Sequence, residues 1–98
     1  MSGAAAGSMR LEVIGARGFE TRRGIFWSGV LVADGARVLR FENAGDGGCT
    51  SLDWKPGIDR APIEAALKAM VPRGTFEPLD AALGDLWDKA MLASEVPA

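Results

Sequence analysis

Asp34-Gly35 lies between two apolar runs, Ile25 to Ala33 and Ala36 to Asn43, and this dipeptide constrains the fold more than any other feature of the chain. A two-residue type I′ turn needs positive φ at both central positions, which Asp followed by Gly supplies cheaply, so the flanking runs are expected to pair as one antiparallel hairpin. With Asp34 and Gly35 as the loop, Ala33 pairs with Ala36, Val32 with Arg37, Leu31 with Val38 and Val30 with Leu39. Strand alternation then puts Phe26, Ser28, Val30 and Val32 on one face with Leu39 and Phe41, the expected core side. Trp27, Gly29, Leu31 and Ala33 fall on the other, with Val38, Arg40 and Glu42.

Upstream, Met9 to Ala16 alternates with period two through Met9, Leu11 and Val13 and predicts a first strand. Arg17 to Gly24, polar with glycine at its end, reads as a loop. Cys49 to Trp54 is long enough for a short fourth strand, which Lys55-Pro56-Gly57 ends. From Asp59 the period changes: Ile63, Leu67, Met70 and Val71 share a helical face, Asp59 can cap the start, and Pro62 is tolerated in the first turn. After Pro72-Arg73-Gly74 a second helix is expected from about Pro78, with Leu79, Leu83, Leu86, Trp87 and Ala90 as its buried stripe. The order predicts an α+β fold: a three- or four-stranded antiparallel sheet followed by two helices packed on one face. The expected organisation is a disordered segment over residues 1–8 and a single α+β domain over 9–94.

The chemistry open to this chain is narrow. Histidine is absent and there is one cysteine, so the usual neutral-pH base and an internal disulfide are both missing. No catalytic residue, metal site or cofactor is expected, and Asp46 and Asp53 alone do not set a coordination geometry. The first 49 residues carry six arginines against five acids and the remainder five bases against eight acids, which argues against general nucleic-acid binding. No run approaches a membrane span or a secretory signal, so the expected location is cytoplasmic.

Gly45-Asp46-Gly47-Gly48 follows the hairpin directly. Glycine costs roughly 0.5–1 kcal/mol relative to alanine in ordered structure, so such a cluster implies positive φ or a close backbone approach. Its amides could form an anion nest, but no lysine or helix start follows, which favours a shaped turn. Cys49 lacks a neighbouring base and reads as a small buried residue. Arg22 and Arg23, with Arg17, offer guanidinium groups around Phe19. Trp27, on the face predicted to lie away from the core, and Trp54 complete the candidate partner- or ligand-binding set: Arg22, Arg23, Trp27, Gly45, Asp46, Gly47, Gly48 and Trp54.

The segments Gly18-Phe19-Glu20-Thr21-Arg22, Asp34-Gly35 and Asn43-Ala44-Gly45-Asp46-Gly47-Gly48 resemble a group of small bacterial and phage proteins with an Asn-Asp-Gly-x-Gly-Gly motif after a β-hairpin; Ala44 stands where that pattern has Asp. The resemblance implies no activity, only an origin in which compact accessory proteins are common. Together these features lead to the expectation of a non-enzymatic interaction module, a phage or prophage accessory or anti-defence protein that binds a protein partner. A homodimer is among its expected arrangements. The competing expectation is a binder or sponge for a phosphorylated small molecule, using the amides of Gly47 and Gly48 with Arg22 and Arg23.

Overall fold

The computed structural model describes residues 9–45 and 50–95. Four strands, β1 (Leu11–Thr21), β2 (Gly24–Ala33), β3 (Ala36–Asn43) and β4 (Ser51–Trp54), form one antiparallel sheet in the order β1-β2-β3-β4. Two helices, α1 (Arg60–Ala69) and α2 (Pro78–Glu95), follow. The expected α+β architecture is present, with four strands rather than three.

The Asp34-Gly35 turn has φ of 49° and 86°, both in the left-handed region that a type I′ turn demands. Asp34 also ties the neighbouring strand: the Arg10 amide donates to its Oδ1 at 2.9 Å, and its own amide donates to the Arg10 carbonyl at 2.8 Å. Ala33 pairs with Ala36 and Val32 with Arg37 as expected, but Leu31 then pairs with Leu39 and Val30 with Arg40. Val38 is the extra residue of a β-bulge. One inserted residue moves every later side chain of the strand relative to its partner, because the side-chain period is two.

That bulge reverses the expected faces of β2. Leu31, Leu39 and Phe41 are buried with Val13 against Ile63 and Leu67 of α1 and Ala82, Leu83 and Leu86 of α2, so the Trp27, Gly29 and Leu31 side is the core side. Phe26, Ser28 and Val30 lie on the other. The physical reason is that Leu39 and Phe41 point inward whatever the register, and the bulge brings Leu31 opposite Leu39 and Gly29 opposite Phe41. Gly29 leaves the space that the Phe41 ring fills: a Cβ there would stand 2.9 Å from Phe41 Cζ and 2.8 Å from Val13 Cγ1.

β1 runs beyond Ala16 to Thr21, through residues expected in a loop. A second irregularity between Ile14 and Arg17 absorbs one residue, with Gly15 at φ 61°, so pairing resumes as Arg17 with Ser28, Gly18 with Trp27 and Phe19 with Phe26. Only Arg22 and Arg23 are left to turn the chain. Thr21 closes that turn, its hydroxyl donating to the Gly24 carbonyl at 2.8 Å and accepting from the Arg23 amide at 3.2 Å.

α1 starts where the sequence indicates, with the Asp59 carboxylate accepting from the Ala61 amide at 3.3 Å. Its buried face is Ile63, Ala66 and Leu67; Met70, expected in the core stripe, is 36% exposed at the end of the helix. α2 lies over β1 and β2 and against α1. Trp87 anchors it there: the indole N–H donates to the Arg17 carbonyl at 3.1 Å and the ring stands 6.0 Å from Trp27. Gly18 makes that approach possible, since a Cβ would come within 2.6 Å of Trp87 Cζ2.

Candidate interaction surface

Among the described residues, both helices occupy one face of the sheet and the opposite face is open. Alternation along the strands orders that open face in rows across β1, β2 and β3: Glu12, Val32 and Arg37; then Ile14, Val30 and Arg40; then Arg17, Ser28 and Glu42; then Phe19 with Phe26. The rings of Phe19 and Phe26 stack 4.8 Å apart at 20°, and Phe19 remains 58% exposed. Arg17, Phe19, Phe26, Val30, Arg40 and Glu42 line a groove of about 890 Å³ along this face. Arg40 and Glu42 sit opposite Asp53 and Ser51 of β4.

The antiparallel meander places the β1–β2 turn and the β3–β4 connection at the same end of the sheet, and glycines let the two touch. Gly24 and Gly45 face each other so closely that a Cβ on Gly24 would meet the Gly45 carbonyl, and a Cβ on Gly45, at φ 77°, would run into the Ile25 backbone. The Gly45 amide donates to Asn43 Oδ1 at 2.7 Å, and Asn43 Nδ2 donates to the Thr50 hydroxyl at 3.0 Å, joining the two ends of the connection. Arg22 and Arg23 are therefore exposed beside the start of the glycine cluster.

Of the sequence-predicted site residues, Arg22, Arg23 and Gly45 converge at this end. Asp46, Gly47 and Gly48, with Cys49, lie outside the described residues, as do residues 1–8. Trp27 does not belong to an exposed strip: its ring packs 5.7 Å from Phe41 and 6.0 Å from Trp87 on the core side, because the Val38 bulge reverses its face. Leu31 and Val38, grouped with it in that reading, are buried. Trp54 sits half-buried against the core on β4, with the Arg60 guanidinium 5.5 Å from its ring centre. The sequence reading missed Phe19 and Phe26, one assigned to a loop and the other to the core; both errors trace to a bulge. Among the described residues, no three potential ligands gather to hold a metal, and no helix is long and apolar enough to cross a membrane.

The surface defines a class: an α+β protein whose meander sheet is covered on one side and open on the other, with an exposed aromatic pair at one end. The chain matches no protein-family model, no curated protein and no solved structure.

Proposed function

We propose that this chain is a small non-enzymatic interaction module that receives a macromolecular partner on the open face of its sheet. The supporting observation is the Phe19–Phe26 stack, which leaves an aromatic ring 58% exposed on a rigid strand pair and flanked by Arg17, Arg22 and Arg23. Aromatic and arginine side chains carry most of the binding energy at protein interfaces, and a stacked ring loses little conformational entropy when it is covered. A phage or prophage accessory or anti-defence role in the cytoplasm is the setting we propose, on the strength of the sequence resemblance. The phosphorylated-ligand reading rests on Gly47 and Gly48, which lie outside the described residues.

Affinity capture from a bacterial lysate with the wild-type chain, Phe19→Ala and Lys68→Ala tests the reading. Phe19→Ala should reduce capture of a specific partner at least 10-fold, an interface loss of about 1.4 kcal/mol or more. Lys68→Ala, on the exposed side of α1, should leave capture unchanged. Equal capture by all three, or none by the wild type, would remove support for the reading. A thermal-shift series with inorganic phosphate and nucleotides checks the competing reading, since a ligand at 100 times its Kd adds about 2.7 kcal/mol of stability.

A further inference from the structure

We infer that the open sheet face docks a second copy of this chain, face to face, about a two-fold axis running along β2. The inference rests on the reading that this face is an interaction surface, and it names the occupant. Its support is the arrangement of charge. On either side of β2 the face carries opposite charges at the same height: Glu12 on β1 opposite Arg37 on β3 in one row, and Arg17 on β1 opposite Glu42 on β3 in another. All four are exposed.

A two-fold axis along β2 keeps each row at its own height while exchanging left and right. Glu12 of one copy then lies over Arg37 of the other, and Arg17 over Glu42, with each pair formed twice. The residues on the axis that are open to contact are Val30, Ser28 and Phe26, which meet their own counterparts as an isologous interface requires, while Val32 in the same line is already buried within one copy. Other in-plane half-turns bring like charges together: one about an axis across the strands pairs Glu12 with Arg17 and Arg37 with Glu42 but lays Arg40 over Arg40, and one about a diagonal of the face lays Glu12 over Glu42 or Arg17 over Arg37. Like charges brought together in this way cost energy. Two sheets packed face to face lie about 10 Å apart with strands within about 30°, close enough for these long side chains to bridge the layer around Val30. A domain this small buries a limited share of its own surface, so an apolar contact along Val30 and Phe26, with the Arg40 stem of each copy laid over Ile14 of the other, adds core that one copy lacks.

The experiment is sedimentation equilibrium over a range of concentrations with the wild-type chain and two double variants. Glu12→Arg with Glu42→Arg makes all four positions positive; Arg17→Glu with Arg37→Glu makes all four negative. Wild type should sediment at twice the monomer mass. Each variant alone should be monomeric, with its dissociation constant raised about 100-fold or more, and an equimolar mixture of the two should recover the dimer. Recovery on mixing requires both variants to be folded, so misfolding cannot imitate it. A wild type that stays monomeric throughout, or a dimer that neither variant weakens, overturns the inference. A monomeric wild type that still captures a foreign protein through Phe19 overturns the second copy alone and leaves the interaction reading standing.

Discussion

Gly29→Ala isolates the contact on which the handedness of the sheet faces depends. Conformational entropy alone favours alanine by roughly 0.5–1 kcal/mol, because Gly29 is not among the positive-φ glycines and an extended strand suits alanine. The packing opposes it. A Cβ would press to 2.8 Å from Val13 Cγ1 and 2.9 Å from Phe41 Cζ, both on side chains buried in the core, with Phe41 fully enclosed. Overpacking of this kind costs about 1–3 kcal/mol, so the expected net loss is about 1–2 kcal/mol. For a domain of this size that lowers Tm by about 4–16 °C. Urea unfolding followed by tryptophan fluorescence reads the change as a shift in midpoint at constant slope. Gly29→Ala should cost less in a Phe41→Leu background, where the ring that fills the gap is gone, and the cycle gives the coupling directly. A stabilised Gly29→Ala protein, or a cost unchanged by Phe41→Leu, would show that Gly29 does not face Phe41 and would return β2 to the register without a bulge.

The remaining predictions use the same unfolding assay. Gly18→Ala should cost about 1–3 kcal/mol by displacing the Trp87 ring from the Arg17 carbonyl, a cost that Trp87→Phe in the same chain should largely remove. Asp34→Ala should cost about 1–2 kcal/mol, since it loses the bond from the Arg10 amide and holds φ at 49° without a favourable side chain; Asp34→Asn should recover most of the loss. Gly84→Ala should stabilise by about 0.5–1 kcal/mol, because it lies inside α2 and a Cβ there meets nothing within 4 Å.

The elements were legible where local chemistry decides them. Asp34-Gly35 announced its turn, Asp59 its helix cap and Pro78 the start of α2, each through a backbone requirement confined to a few residues. The faces were not legible, because β2 carries apolar side chains on both sides. Phe26 and Val30 look as fit for a core as Trp27 and Leu31, so only the register could choose between them, and an insertion at Val38 has no signature of its own. Arg40 and Glu42, flanking Phe41, mark the outward side of β3, which the sequence orients correctly; the bulge at Val38 alone decides which side of β2 goes with it. The convergence of Arg22, Arg23 and Gly45 followed from the order of strands alone, since alternate turns of a meander share an end. The stacking of Phe19 on Phe26 needed the Gly15 bulge to carry β1 onward, and nothing in Arg17 to Gly24 signalled that continuation.

The Trp87 anchor has a consequence for the order in which this chain takes shape during synthesis. Every strand pairs with its neighbour in sequence, so the sheet can assemble from successive hairpins as they emerge. Its closure joins positions 70 residues apart, when the Trp87 indole reaches the Arg17 carbonyl. Until α2 has been made, the nascent sheet shows Trp27, Leu31 and Phe41 on one side and Phe19, Phe26 and Val30 on the other. The nascent sheet is therefore greasiest just before α2 emerges, a window in which a chaperone would bind it and a stalled ribosome would release an aggregation-prone product.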